Sequence, residues 1–340
     1  MKVDDPLTPA LSPEGRGSTS LQEPPANPPL PAGERVGTRG ARQRKRRLFQ
    51  AGFFTLFVLA PVLDIFRFDL STTHFVLFGQ AWTLGLDPFL AGEIGATEAI
   101  WNLIMRGFVP LAGFVGLFGW VAWRWGRLYC GWLCPHFSVV EVINGVLRRA
   151  IGKMSFWDRE RLPPRRPDGT PLPVDRRWRW LIVPVAVGFA FLWAVVLLTY
   201  LLPPAEIYAN LRHGSLTRNQ ALFIGVGTFL LSIEFLFARH LFCRYACAVG
   251  VFQSFVWMAN RRAMVVSFDR AHARRCQGCD SMCENECPMR LKPRSIKRRM
   301  FTCTECGRCL SACETVQGRR SQPSLLAWRA GQAALPESER

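Results

Sequence analysis

Every cysteine in this chain belongs to a short run with regular spacing. The twelve cysteines form two pairs and two runs of four, which are Cys130 and Cys134; Cys243 and Cys247; Cys276, Cys279, Cys283 and Cys287; and Cys303, Cys306, Cys309 and Cys313. Cysteines that pack in a core or form disulfides would not gather in this way. The pattern therefore predicts thiolate coordination of iron or another soft metal.

The two runs of four match the two-cluster ferredoxin pattern C-x₂-C-x₂-C-x₃-C-P. Glu314 stands where the proline of the second run is expected, and the first run has one extra residue before Cys283. In this pattern the fourth cysteine of each run ligates the other cluster. We therefore expect one [4Fe-4S] cluster on Cys276, Cys279, Cys283 and Cys313, and a second on Cys303, Cys306, Cys309 and Cys287. A pair of structural zinc sites is the alternative, but zinc has no use for a third cysteine two residues on.

The two C-x₃-C pairs lie in an internal repeat. Residues 128–134 read LYCGWLC and residues 241–247 read LFCRYAC, and a largely apolar helix is expected after each. Spacing i, i+4 places both thiols of a pair on one helical face, so two pairs can supply a tetrathiolate. Its occupant stays open among an iron-sulfur cluster, zinc and copper. His136 and His240 lie close enough in sequence to complete or replace thiolates in a copper site.

Four blocks of membrane length are rich in apolar residues. Each has about 18 to 23 residues, which at ~1.5 Å per residue spans a hydrocarbon core of ~30 Å. They are Leu48 to Phe66, Ile104 to Trp123, Trp180 to Leu202 and Ala221 to Ala238. We predict an α-helical membrane protein with about four transmembrane helices in two parallel-repeat pairs, followed by a small α+β two-cluster ferredoxin domain. Buried helices of a large soluble protein are the alternative, which the basic flanks disfavour.

Basic residues are unevenly distributed around these blocks. Residues 42–47 and 124–177 are rich in arginine, whereas residues 68–103 contain no Lys or Arg. Cytoplasmic loops are enriched in these residues, so we expect a multi-pass protein of the bacterial inner membrane with both termini and the ferredoxin domain in the cytoplasm. The same bias explains most of the net charge of +18, and we predict no nucleic-acid partner. A basic run over 290–299 fits anionic lipid or an acidic electron-transfer partner.

The chain divides into six predicted segments. They are a disordered Pro-rich segment (1–41), a first transmembrane repeat with the C-x₃-C-P motif (42–152), a cytoplasmic basic loop (153–179), a second transmembrane repeat with the C-x₃-C motif (180–262), the ferredoxin domain (263–318) and a disordered tail (319–340).

The motifs together carry a family resemblance. The run GRLYCGWLCP over 126–135, the second pair followed by Phe252-Gln253-Ser254, and the double ferredoxin run resemble the CcoG/FixG/RdxA membrane polyferredoxins over roughly residues 48–318. NapH-type proteins are more distant relatives. The resemblance implies electron transfer on the cytoplasmic side, with reduction of Cu(II) to Cu(I) for assembly of a cbb-type cytochrome oxidase. NapH-like relatives instead pass electrons from quinol toward a periplasmic reductase. Ala248 departs from the family, which has proline there.

No acid, base or nucleophile constellation is evident, so we predict a relay of single electrons and assign no catalytic residue. Three hypotheses follow: a copper-reducing assembly factor, a quinol-linked subunit of a respiratory chain, and a redox-sensing membrane scaffold without turnover. Glu234 lies within a predicted span, where a charged residue is a functional candidate. It would relay a proton if quinol is the donor; the alternative is that it pairs with Arg239 or reaches the interface.

Overall fold

The computed structural model describes residues 40–338. The segment predicted to be disordered, 1–41, lies outside the described residues except for its last two, and Ala41 already begins the first helix. The described residues are mostly helical, with two small antiparallel sheets.

The helices follow in chain order. Through the last predicted span they are α1 (Ala41–Leu59), α2 (Asp87–Leu90), α3 (Ala96–Leu103), α4 (Val109–Trp125), α5 (Leu128–Trp132), α6 (Pro135–Ile151), α7 (Arg179–Thr199), α8 (Pro204–His213), α9 (Arg218–Ile233) and α10 (Arg239–Leu241). Beyond it they are α11 (Ala248–Ala259), α12 (Met282–Asn285), α13 (Arg308–Arg319) and α14 (Leu335–Ser338). The strands are β1 (Phe66–Asp69), β2 (His74–Leu77), β3 (Gln80–Trp82), β4 (Val265–Phe268) and β5 (Leu326–Arg329).

Three continuous helical stretches within residues 40–338 are long and apolar enough to cross a bilayer. They are Ala96–Trp125, Arg176–Thr199 and Arg218–Ala246, of 30, 24 and 29 residues. The predicted first span is not among them, because α1 starts with a basic turn and ends at Leu59 rather than at Phe66. The predicted layout of four spans in two repeat pairs thus stays a prediction, whereas three membrane-length helices are observed.

Two of the long stretches contain π-helical turns. The first has one at Ile104–Phe108, and the last has two, at Glu234–Ala238 and Phe242–Ala246. A π turn inserts an extra residue into the helix and is frequent at functional sites. Here the two turns of the last stretch carry Glu234 and Cys243, which both line the cavity described below.

The helix that follows each C-x₃-C pair packs against a long helix from the other half of the chain. After the first pair, α6 buries Val140, Ile143 and Leu147 against α7 and the π turn at Phe235. After the second pair, α11 packs on α4, and Asn260 donates a hydrogen bond to the Trp123 carbonyl (2.9 Å). Both pairs line one cavity, which is described below.

A three-stranded sheet lies between α1 and α2. Its order is β1-β2-β3, with Phe66 opposite Leu77 in the first pair of strands and Phe75 opposite Trp82 in the second. The backbone of Phe68 donates to the Tyr200 carbonyl (2.9 Å), which attaches the sheet to the end of α7. The sheet therefore lies at the end of the bundle away from the cysteines.

The ferredoxin domain extends further than predicted. Strand β5 pairs with β4 so that Leu326 faces Phe268, and Arg270 pairs with the buried Glu337 (2.6 Å). The prediction of a disordered tail over 319–340 is therefore wrong through Ser338. Sequence reasoning missed it because β5 has only four residues and its hydrophobic partner strand lies some 60 residues earlier, by the register 266 to 328.

Candidate functional site

Four cysteine side chains line one small cavity of the ferredoxin domain. Three come from the first run and one from α13; we call them the first-set cysteines, Cys276, Cys279, Cys283 and Cys313. Phe268, Met282 and Leu326 give the cavity an apolar wall. Three of these cysteines are half-buried, and Cys283 is fully buried.

A second small cavity is lined by the remaining four cysteines of the domain. These second-set cysteines are Cys287, Cys303, Cys306 and Cys309, and all four are buried. On α13, Cys309 and Cys313 are one helical turn apart but belong to different sets. The structure thus groups the eight cysteines in the crossed manner of the ferredoxin pattern, and the inorganic group that each set holds stays a prediction.

The chemistry of both sets fits a polynuclear cluster. Burial raises the pKa of the Cys283 thiol to about 12 and that of Cys287 to about 11, so metal binding must compensate the charge of the thiolates. The backbone N–H groups of Leu291 and Leu325 each donate to a thiol sulfur, on Cys287 and Cys313, at 3.4 Å. Among residues 40–338, no three Cys, His, Asp or Glu side chains lie close enough to share one metal ion.

The four cysteines of the two C-x₃-C pairs line a third and larger cavity, with a volume of about 490 Å³. We call it the membrane-edge cavity and its thiols the membrane-edge cysteines, Cys130, Cys134, Cys243 and Cys247. Its walls are mostly apolar side chains of the long helices, among them Trp193, Leu197, Leu230, Leu231 and Phe242. The polar side chains on it are Arg127, His136 and Glu234.

Glu234 and His136 face each other across this cavity. The Nε2 of His136 lies 3.3 Å from Oε1 of Glu234, and neither carboxylate oxygen has a hydrogen-bond partner in the described structure. The expected alternative partner, Arg239, instead donates to Oδ1 of Asn144 (3.2 Å). His240 is buried but does not line the cavity, so of the two candidate histidines only His136 joins the membrane-edge cysteines.

Arg127 is a site residue whose role sequence reasoning missed, because it was interpreted as a basic flanking residue and as part of the GRLYCGWLCP motif, without a function of its own. Its side chain is 1% exposed and donates to the Cys243 carbonyl at 2.7 Å. The same nitrogen lies 3.8 Å from the sulfur of Cys130, and Gln253 donates to that sulfur at 3.3 Å. A buried guanidinium beside four thiols compensates negative charge on them. The available signal was its position three residues before the first cysteine.

The second-set loop packs directly on the membrane-edge segment. A Cβ added at Gly131 would lie 2.1 Å from the carbonyl oxygen of Thr304, so only glycine fits between Cys130 and Cys134 at this approach. Beside it, Trp132 donates from Nε1 to the Glu305 carbonyl (3.0 Å), and Gln43 donates to the Cys306 carbonyl (3.1 Å). The two cysteine sites are therefore joined by backbone contact.

A buried ionic network fixes the same interface. Arg46 of α1 pairs with Glu141 of α6 (2.8 Å), which also meets Arg308 of α13 (3.2 Å). Arg308 pairs in turn with Glu286 (2.6 Å), whose other oxygen contacts Arg148 of α6. Burial alone would raise the pKa of Glu286, but the two guanidinium groups lower it, so the carboxylate stays ionised. Glu286 and Arg308 precede Cys287 and Cys309, so the network positions the second set.

Comparison with known proteins points to the same region. A family profile described as a 4Fe-4S binding domain matches the chain twice, over residues 106–153 and 219–264. Each match contains one C-x₃-C pair, and neither reaches the two runs of four. The profile thus associates 4Fe-4S binding with the membrane-edge cysteines. No solved structure matches the chain.

Three relatives bear on the family. The ferredoxin-type protein NapH of Haemophilus influenzae is 23% identical over 79% of this chain and 85% of its own length. The resemblance to NapH-like membrane polyferredoxins is confirmed, whereas these relatives do not show the predicted CcoG type. The methylamine utilization ferredoxin-type protein MauN of Methylorubrum extorquens is 26% identical over 70% of this chain and 73% of its own length. YccM of Escherichia coli K12 is 25% identical over 55% of this chain but only 48% of its own length, so the chain spans about half of that relative.

Proposed function

We propose that this protein relays single electrons through its cysteine sites, between a carrier at the membrane-edge cavity and the ferredoxin domain. The backbone contact of Gly131 with Thr304 carries the proposal, because it joins the membrane-edge cysteines to the second-set cysteines without an intervening layer. Bound [4Fe-4S] clusters would supply the one-electron chemistry. The chain's own contribution is to hold the sites in series, bury them and direct hydrogen bonds at sulfur.

A quinol is the membrane carrier that the cavity fits best. The membrane-edge cavity is mostly apolar, and its volume is sufficient for an aromatic ring the size of a small-molecule ligand. Its walls come from the long helices and not from the ferredoxin domain. Glu234 is the one carboxylate on its wall; its Oε1 lies 3.3 Å from Nε2 of His136, whereas Oε2 has no such neighbour and is free to bind a hydroxyl group. Oxidation of quinol to quinone releases two electrons and two protons; Glu234 would take the protons in turn and pass them on.

Copper reduction for oxidase assembly, the role implied by a CcoG-type resemblance, has less support. No three candidate ligands in the described structure approach closely enough for a single ion, and two of the relatives that match are ferredoxin-type NapH proteins. We place the protein in the bacterial inner membrane with the ferredoxin domain in the cytoplasm, on the distribution of basic residues.

The relay is tested by breaking it at the membrane edge. The full chain is purified anaerobically in nanodiscs and reduced either by dithionite or by menadiol, with iron-sulfur absorption as the readout. We expect both reductants to bleach the wild type, and only dithionite to bleach the variant Cys130→Ala/Cys243→Ala. Reduction of this variant by menadiol at the wild-type rate would contradict the relay. Wild type that menadiol never reduces would favour the redox-sensing scaffold.

The role of Glu234 is tested separately. Glu234→Gln keeps the size of the side chain but removes its capacity to accept a proton. We expect the rate of reduction by menadiol to fall about a hundredfold, within the 10² to 10⁴ range for loss of a general base, while reduction by dithionite is unchanged. Glu206→Gln is the matched control, because Glu206 lies on α8, outside the cavity lining, and binds Gln220 (2.9 Å). Equal effects of the two substitutions would refute the assignment.

A further inference from the structure

The two ferredoxin sets differ in their access to solvent. All four second-set cysteines are buried, and they lie against the membrane-edge segment. In the first set, by contrast, Cys276, Cys279 and Cys313 are each partly exposed. Electron exchange with a soluble protein requires close approach, so the first set is the accessible end of the series.

Helix α13 places the first set on the far side of the domain. Its first residue, Arg308, is held by Glu141 of α6, and its last, Arg319, lies about 16 Å further along the helix axis. Cys313 is between them, one turn beyond Cys309. The exposed thiols therefore face away from the contact with the membrane-edge segment.

Arginines surround the exposed thiols. Arg320 donates to the carbonyls of Arg275, Gln277 and Gly278, and so fixes the loop between Cys276 and Cys279 (2.7 to 3.2 Å). Arg294 lines the first-set cavity. We define the first-set face by its five arginines, Arg274, Arg275, Arg294, Arg319 and Arg320.

Acidic residues on this face are few. Glu284 is already paired with Arg294 (2.5 Å), and Asp280 lies beside Cys279 in sequence. Glu314, which follows Cys313, is paired with Arg42 (2.9 Å), so the five arginines leave the face with a net positive charge. Such a surface accelerates association with an acidic partner and selects against a basic one.

We propose that the first-set face is the docking surface for a soluble, acidic single-electron carrier protein, such as a flavodoxin-type or ferredoxin-type carrier. The proposal rests on the proposed relay and adds its aqueous partner. The exchange moves one electron: the carrier gains the electron that the protein loses, and no bond or proton changes place. Anionic lipid is the competing occupant, and the position of the face at the far end of α13 argues against it.

The test measures binding as well as electron exchange. The full chain with its clusters is placed in phosphatidylcholine nanodiscs and titrated with an oxidised flavodoxin, using its flavin fluorescence, at 50 and 300 mM salt. The variant is Arg274→Glu/Arg319→Glu, two exposed residues of the face. The matched control is Arg298→Glu/Arg299→Glu, two exposed arginines next to Phe301, which packs on Phe255 of α11 and not on this face.

We expect the face variant to weaken flavodoxin binding about tenfold at low salt, the control to change it less than about twofold, and high salt to remove the difference. Basic cytochrome c should not bind. Equal losses in both variants, binding that ignores salt, or equal binding of cytochrome c would overturn the proposal. So would protection of 274–279 from amide exchange that appears only in nanodiscs to which phosphatidylglycerol is added, which would assign the face to anionic headgroups. Iron content and EPR of the same sample separate the outcomes: absent clusters refute the relay, whereas intact clusters without binding refute the docking alone.

Discussion

Substitution of Gly131 by alanine tests the contact that joins the two cysteine sites. The added methyl group would lie 2.1 Å from the Thr304 carbonyl oxygen, 3.1 Å from its carbonyl carbon and 3.2 Å from the Cys306 nitrogen. All three are backbone atoms, so no side-chain rotation relieves the clash. The second-set loop must move by about 1 Å to restore an ordinary contact distance.

Overpacking of this kind costs about 1–3 kcal/mol. Since each 1.4 kcal/mol is a factor of ten, local opening of the loop should become roughly 5-fold to 150-fold more frequent. Hydrogen exchange of residues 303–309 in the full chain is the assay, and the reduction rate with menadiol is read in parallel. The hydrogen exchange of 303–309 and the rate of reduction by menadiol should both change in Gly131→Ala, because the second-set loop carries the proposed relay.

Gly145→Ala is the control, since Gly145 on α6 has no atom within 4 Å of an added Cβ. Alanine there should be neutral or slightly stabilising. If Gly131→Ala kept wild-type protection over 303–309, or if Gly145→Ala lost as much, the close approach would not hold the two sites together and the reasoning would be refuted.

Two further predictions concern charge. Glu141→Gln leaves the buried Arg46 without its carboxylate, while Arg308 keeps Glu286, and should lower the free energy of unfolding by about 3–5 kcal/mol in denaturant titrations, whereas the exposed Glu160→Gln should not. In the three-stranded sheet, burial of Asp69 is outweighed by hydrogen bonds from Ser71 and Arg67, which lower its pKa to about 2. The contribution of ionised Asp69 to the stability of the sheet is therefore complete above pH 4 and lost as the pH falls toward 2. Pepsin should cut residues 66–82 of Asp69→Asn faster than wild type at pH 4 but equally at pH 2, and a difference that persists at pH 2 would contradict the assignment.

The cysteine spacing predicted much of the site, because ligands four residues apart on one helix depend on local geometry. The long-range features were not readable in this way. Gly131 is one of 28 glycines, and its neighbours in sequence do not indicate that it packs against Thr304 of the ferredoxin domain. Arg127 resembles any basic residue that flanks a span. Its role appears only when Cys243 is folded against it.

The helical spans show a second limit. Hydropathy predicted the long stretches that end at Trp125 and Thr199. The predicted first span continued past the end of α1 at Leu59, because apolar residues continue through the turn that follows. The small sheets depend on pairing between short strands, which local propensity specifies weakly. This is also why the β4–β5 pair of the ferredoxin domain was missed.

The most direct test of the account is EPR of the anaerobically purified full chain after reduction by dithionite, with iron and sulfide counted on the same sample. We predict about eight irons per chain for the two ferredoxin sets, or about twelve if the membrane-edge cysteines also hold a cubane, with signals of reduced [4Fe-4S] clusters. Colourless protein that binds zinc in place of iron and stays EPR-silent would contradict the central claim.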